Sequence, residues 1–174
     1  MRMDHRELRP LLPAIDPVGF GDVMRDVGNA VWRVQQLEEA VQMYLVLICG
    51  FAGEVATDVA QAVLERHKKR TLGQLVRELN EQARVPEQLS ARLNAFVEPR
   101  NWLIHRSQNN SRKALVTRDG RAIISAKLDE LTEEASAIQR LIAEDLEAEL
   151  RRRGVGEATL LENAKTELRT RYDS

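Results

Sequence analysis

Residues 96–110 read FVEPRNWLIHRSQNN, and three of them are of the types that handle phosphate esters. Arg100 carries a guanidinium, charged at any relevant pH, whose planar fork of donors matches phosphate oxygens. His105 carries an imidazole, whose ordinary pKa of about 6.5 lets it take or give a proton near neutrality. Asn101 lies four residues before His105, where an amide can orient an imidazole across one α-helical turn. Arg100 and His105 are five apart, about 140° around an α-helical axis. They flank a groove, and a phosphate-sized group between them can touch both.

The helix that carries them has an apolar stripe at Leu89, Leu93, Phe96 and Leu103. Its steps are four, three and seven, and the gap of seven is filled by Arg100 where periodicity asks for an apolar side chain. A guanidinium buried without a partner costs several kcal/mol or more. Two accounts stay open: Arg100 pairs with an acid on the first helix or on the long helix after the motif, or it faces a cleft. The polar stripe of Asn94, Glu98, Asn101, His105 and Gln108 also fits a plain solvated face. Pro99 removes one backbone hydrogen bond and bends the axis, which sets residues 100–105 apart as a segment or does nothing more than kink the helix.

The remaining elements must position this segment. Residues 1–21, with Pro10, Pro13 and Pro17, are expected to form an extended arm, and residues 22–174 a single domain. From about Asp22, Val23, Val27, Val31, Val34, Leu37, Val41, Leu45 and Ile48 step by threes and fours, predicting a long amphipathic helix that stops near Gly50. A second helix is expected from about Glu54 on Val55, Val59 and Val63, ending in ERHKKR. Thr71 and Gln74 read as a capping box opening a helix with Leu72, Leu75, Val76 and Leu79 inward. Pro86 suits the first turn of the motif helix. After the motif, Asp119 and Gly120 between two β-favouring runs predict a small hairpin. Ser125 would then cap a long helix with its stripe at Leu128, Leu131, Ala135, Ile138, Ile142, Leu146 and Leu150. A short last helix carries Leu161, Ala164 and Leu168. The expected fold is all-α, an up-and-down bundle of about five to six helices with one β-hairpin.

Here the residues resemble a known family. Arg100, Asn101 and His105 in the order Arg-Asn-x-x-x-His, late in a helix of a small bundle, look like the signature of the HEPN superfamily (higher eukaryotes and prokaryotes nucleotide-binding domains). The helical order across roughly residues 22–150 is similar as well. The resemblance implies a metal-independent endoribonuclease of a toxin–antitoxin or phage-defence system, with two chains pairing so that two Arg/His sets line one cleft. It implies that Arg100 stabilises charge on the phosphate, His105 transfers a proton and Asn101 holds the geometry. Attack by a ribose 2′-OH needs both a base and an acid, and one imidazole cannot serve as both at once. His5 falls in the arm and His67 beside KKR, so a homodimer with an isologous interface would supply the second His105. The alternative is a non-catalytic HEPN-like dimeric adaptor or nucleotide-binding module.

Charge is distributed unevenly. Residues 98–121 hold six Lys/Arg against two Asp/Glu, net +4, while 127–150 hold two against eight, net −6. Arg106, Arg112 and Lys113, with Arg118 and Arg121, are placed to bind RNA, although surface charge alone would also account for them. The acids of 129–149 suit a solvated face or a basic antitoxin protein. Two Trp, two Tyr and three Phe leave little for base stacking, so RNA would be held mainly by phosphate contacts. One cysteine and three histidines offer no metal cluster, and no cofactor is expected. Cys49 reads as a buried thiol. The longest apolar run, about residues 43–56, is too short to span a bilayer. The start MRMDHRELRP has no apolar core of a signal peptide, so the expected location is cytoplasmic.

Overall fold

The computed structural model describes residues 17–50, 70–82, 84–152 and 154. Among them every regular element is helical: α1 (Pro17–Gly50), α2 (Leu72–Asn80), α3 (Glu87–Asn101), a π-helical turn (Trp102–Arg106), the short α4 (Ser107–Ser111), a 3₁₀ turn (Ala114–Val116) and α5 (Arg118–Arg152). The helices expected near Glu54 and after Gly156 lie outside the described residues, as does most of the arm.

The apolar stripes meet in one core. Val34, Leu37, Val41 and Leu45 of α1 pack with Leu72, Leu75, Val76 and Leu79 of α2, Leu89, Leu93 and Phe96 of α3, and Leu128, Leu131, Ala135 and Ile138 of α5. Polar contacts along the seams fix the helix directions. Asp26 accepts from Ser125 Oγ at 2.7 Å and Asp145 from Tyr44 OH at 2.6 Å, so α1 and α5 run parallel. Arg92 grips Glu134 with two hydrogen bonds, Nε–Oε1 at 2.8 Å and Nη2–Oε2 at 2.5 Å, and Lys127 sits over the Trp102 ring, so α3 runs against α5. Asn80 bonds to Ser90 and Asn94, which closes the antiparallel pair α2–α3. At the start of α2, the Gln74 side chain accepts the Thr71 backbone N–H at 2.9 Å, the expected reach-back of a capping box.

Four local expectations are corrected. The helix α1 begins at Pro17, five residues before Asp22, with a fixed proline φ at its first position. Pro86 is the N-cap of α3, one place before the first turn. No hairpin forms around Asp119 and Gly120, since 114–116 is a 3₁₀ turn and 118–152 is helix. Thr117 replaces Ser125 at the helix start: its Oγ1 accepts the Gly120 N–H at 3.1 Å, while Ser125 lies two turns inside. Gly120 is needed for close approach instead of a left-handed turn. A Cβ there would lie 2.2 Å from the Ala114 carbonyl oxygen, and its φ is not positive.

Candidate functional site

The motif segment is where α3 changes its winding. Pro99 has no N–H to give, and the Trp102 N–H is shared between the Glu98 and Pro99 carbonyls. The next turn is π-helical, with the Ser107 N–H donating to the Trp102 carbonyl five residues back. Single π turns inside α-helices are rare and recur at functional sites. In such a turn residues five apart become neighbours, as residues four apart are in an α-helix. The continuous α geometry that sets Arg100 and His105 about 140° apart therefore does not hold across residues 102–106.

Arg100 occupies the gap in the apolar stripe and is neutralised by α1. Its Nε donates to Glu38 Oε1 at 2.7 Å, and the two side chains are only 12% and 21% exposed. Its Nη1 donates to Asn101 Oδ1 at 3.2 Å. Of the two accounts of the buried guanidinium, an acid on the first helix is the partner found. Two of its five N–H donors are used by these bonds, and the others have no partner among the described residues.

Asn101 and His105 share no hydrogen bond; the Asn101 Oδ1 accepts from Arg100 Nη1. His105 is exposed and makes no hydrogen bond or ion pair with the described residues. The segment is anchored by its neighbours: Leu103 is buried, Ser107 Oγ bonds the Leu103 carbonyl at 2.6 Å, and Lys127 Nζ lies 3.7 Å from the centroid of the Trp102 ring.

The basic residues separate into three groups. Arg106 reaches back over the π turn to Glu98 at 2.5 Å, an exposed pair of small energetic weight. Arg112 and Lys113 are exposed and unpaired among the described residues, as an RNA contact would require. Arg121 is buried, 8% exposed, and donates to the Leu115 carbonyl at 3.1 Å, so it is not offered to a ligand. Among the described residues no group of three or more His, Cys, Asp or Glu is placed to hold a metal ion, and no helix is long and apolar enough to cross a membrane.

Sequence reasoning missed Glu38 and the π turn. Glu38 was detectable: it sits beside Leu37 on the edge of the α1 stripe, an acid at the core margin matching the arginine that interrupts α3. The π turn had only Pro99 as a signal. The chain matches no protein-family model, no curated protein and no solved structure.

Proposed function

We propose that the protein is a metal-independent endoribonuclease of the HEPN type, acting in a toxin–antitoxin or phage-defence setting, with its site shared between two chains of a homodimer. The observation that carries this reading is the π turn. It holds an exposed imidazole, unpartnered among the described residues, on the same helical segment as a guanidinium whose position is fixed by Glu38 and Asn101. In the proposed reaction one His105 takes the proton from a ribose 2′-OH, whose oxygen attacks the adjacent phosphorus. The P–O5′ bond breaks, and the partner's His105 protonates the leaving 5′-oxygen. Arg100, through its remaining N–H groups, offsets the negative charge that develops on the phosphate oxygens. Arg112 and Lys113 hold the flanking phosphates.

Purified protein incubated with RNA and a chelator should yield a 2′,3′-cyclic phosphate and a 5′-hydroxyl, and light scattering should give a dimer. Products with a 5′-phosphate, or a stable monomer, would contradict this mechanism. One observation favours a second reading. Arg100 already has an acid of its own chain, which suits a dimeric adaptor in which the motif is structural and no RNA is cut.

A further inference from the structure

Beside the motif a cavity of about 420 Å³ opens between the start of α1, the start of α5 and residues 102–115. Its wall includes Phe20 and Met24, both partly exposed, and Trp102 from the motif itself. Three polar residues, Gln108, Ser111 and Arg112, also line it. A concave, largely apolar pocket with a few convergent polar groups is the usual form of a small-molecule site.

Ser111 is the unusual member. It is buried, 7% exposed, and its hydroxyl has no hydrogen-bond partner among the described residues. Ser107, Thr132 and Ser136 each bond the carbonyl four residues back, at 2.6 to 2.9 Å, as helical hydroxyls commonly do. Ser111 does not, and a buried polar group left unpaired beside a cavity points to a partner that enters the cavity. Arg112, exposed and unpaired among the described residues, lies next to it at the rim.

We propose that this cavity binds a nucleobase, that of the ribonucleotide adjoining the phosphate handled at Arg100 and His105; the placement beside a scissile phosphate rests on the ribonuclease reading above. The base enters between Trp102 and Phe20, since aromatic rings stack on any base. Ser111 and Gln108 supply the hydrogen-bonding groups that meet the base edge, and Arg112 faces the attached phosphate. Gln108 follows His105 by three residues, so base pocket and imidazole are within about one helical turn. Substrate grip then includes base contacts, in addition to the phosphate contacts that the aromatic-poor composition suggests.

Trp32 is 65% exposed and does not line the cavity, so Trp32→Phe leaves Trp102 as the single tryptophan, read by selective excitation of indole. Titration of that variant with the four nucleoside monophosphates should give a saturable change in Trp102 emission, strongest for the preferred base, and ribose 5-phosphate should give none. Ser111→Leu, which fills the cavity, should weaken binding by about tenfold or more. Arg112→Ala, at an exposed position that carries no folding risk, should weaken it and reduce its salt dependence. No saturable response to any nucleotide, an equal response to ribose 5-phosphate, or a response to decanoate alone would overturn the assignment. The two readings fail separately. RNA cleavage without nucleotide binding retires the pocket and keeps the nuclease, while nucleotide binding by a chain inert towards RNA does the reverse.

Discussion

Replacing Arg100 by methionine tests what the interrupted stripe of α3 is for. Methionine keeps much of the stem and removes the charge, leaving Glu38 without its 2.7 Å partner and Asn101 Oδ1 without its donor. Removing one member of a fully buried ion pair costs about 3–5 kcal/mol. Glu38 is 21% exposed, so water reaches the stranded carboxylate, and the cost falls to about 1–3 kcal/mol, the range for a buried group that loses its hydrogen bond. For a domain of this size each kcal/mol lowers Tm by roughly 2–4 °C. Glu38→Met alone should be destabilising by a similar amount, because it strands the guanidinium. The double variant Glu38→Met with Arg100→Met buries two apolar side chains in place of two charges, and should recover to within about 1 kcal/mol of the parent. Urea denaturation of all four proteins gives the coupling energy directly; two single losses of about 1–3 kcal/mol each, less a double-variant loss under about 1 kcal/mol, set it at roughly 1–6 kcal/mol. An Arg100→Met protein that melts with the parent, or a coupling near zero, would refute the structural role of the pair. The stable double variant has a second use: it should be folded and inactive towards RNA if the guanidinium acts on the phosphate.

Two further outcomes follow from the packing of α5. Gly120→Ala places a Cβ against the Ala114 backbone and should destabilise the protein by about 1–3 kcal/mol, the usual cost of overpacking; a neutral or stabilising result in thermal melts would mean that the 3₁₀ turn moves freely. The hydrogen bonds from Arg92 hold the Glu134 carboxyl below the ordinary value of 4.5, with burial opposing and charge attraction adding to the shift. Because the folded pKa is the lower one, the pair's contribution is complete above about 4.5 and fades as pH falls from there through the folded value. With both side chains about one-third exposed, the contribution is only about 0.2–1 kcal/mol. Glu134→Gln should flatten that acid limb of the stability curve by the same amount, and an unchanged limb would contradict the assignment.

Much of the framework was legible because periodicity measures burial directly. The predicted inward positions of α2 are all buried, and so are Leu89, Leu93, Phe96 and Leu103 around the motif. The hairpin was misread because Gly120 serves a non-local contact, the approach of Ala114, while short-range turn propensity knows only the residues beside it. For the same reason neither account of Arg121, an RNA contact or plain surface charge, foresees its burial, since the carbonyl it bonds is that of Leu115 in the folded-back 114–116 turn. At the motif, the residue types and order were legible, but their relative placement was not. An α-helical projection sets Arg100 and His105 about 140° apart and Asn101 under His105. The π turn interrupts the α geometry on which that projection rests, and no local propensity announces it beyond a proline three residues earlier. Glu38, 62 residues away in sequence, is a tertiary partner of a kind that only an acid at the edge of another stripe could suggest.

The most direct measurement is RNA cleavage by His105→Ala set beside its thermal melt. His105 is exposed and without a partner among the described residues, so its removal should change stability by less than about 0.5 kcal/mol. If the imidazole transfers the proton, the variant should melt with the parent and lose cleavage in the presence of chelator, while the parent remains active. A variant that cuts RNA as fast as the parent, or a parent inert towards RNA under the same conditions, would contradict the account.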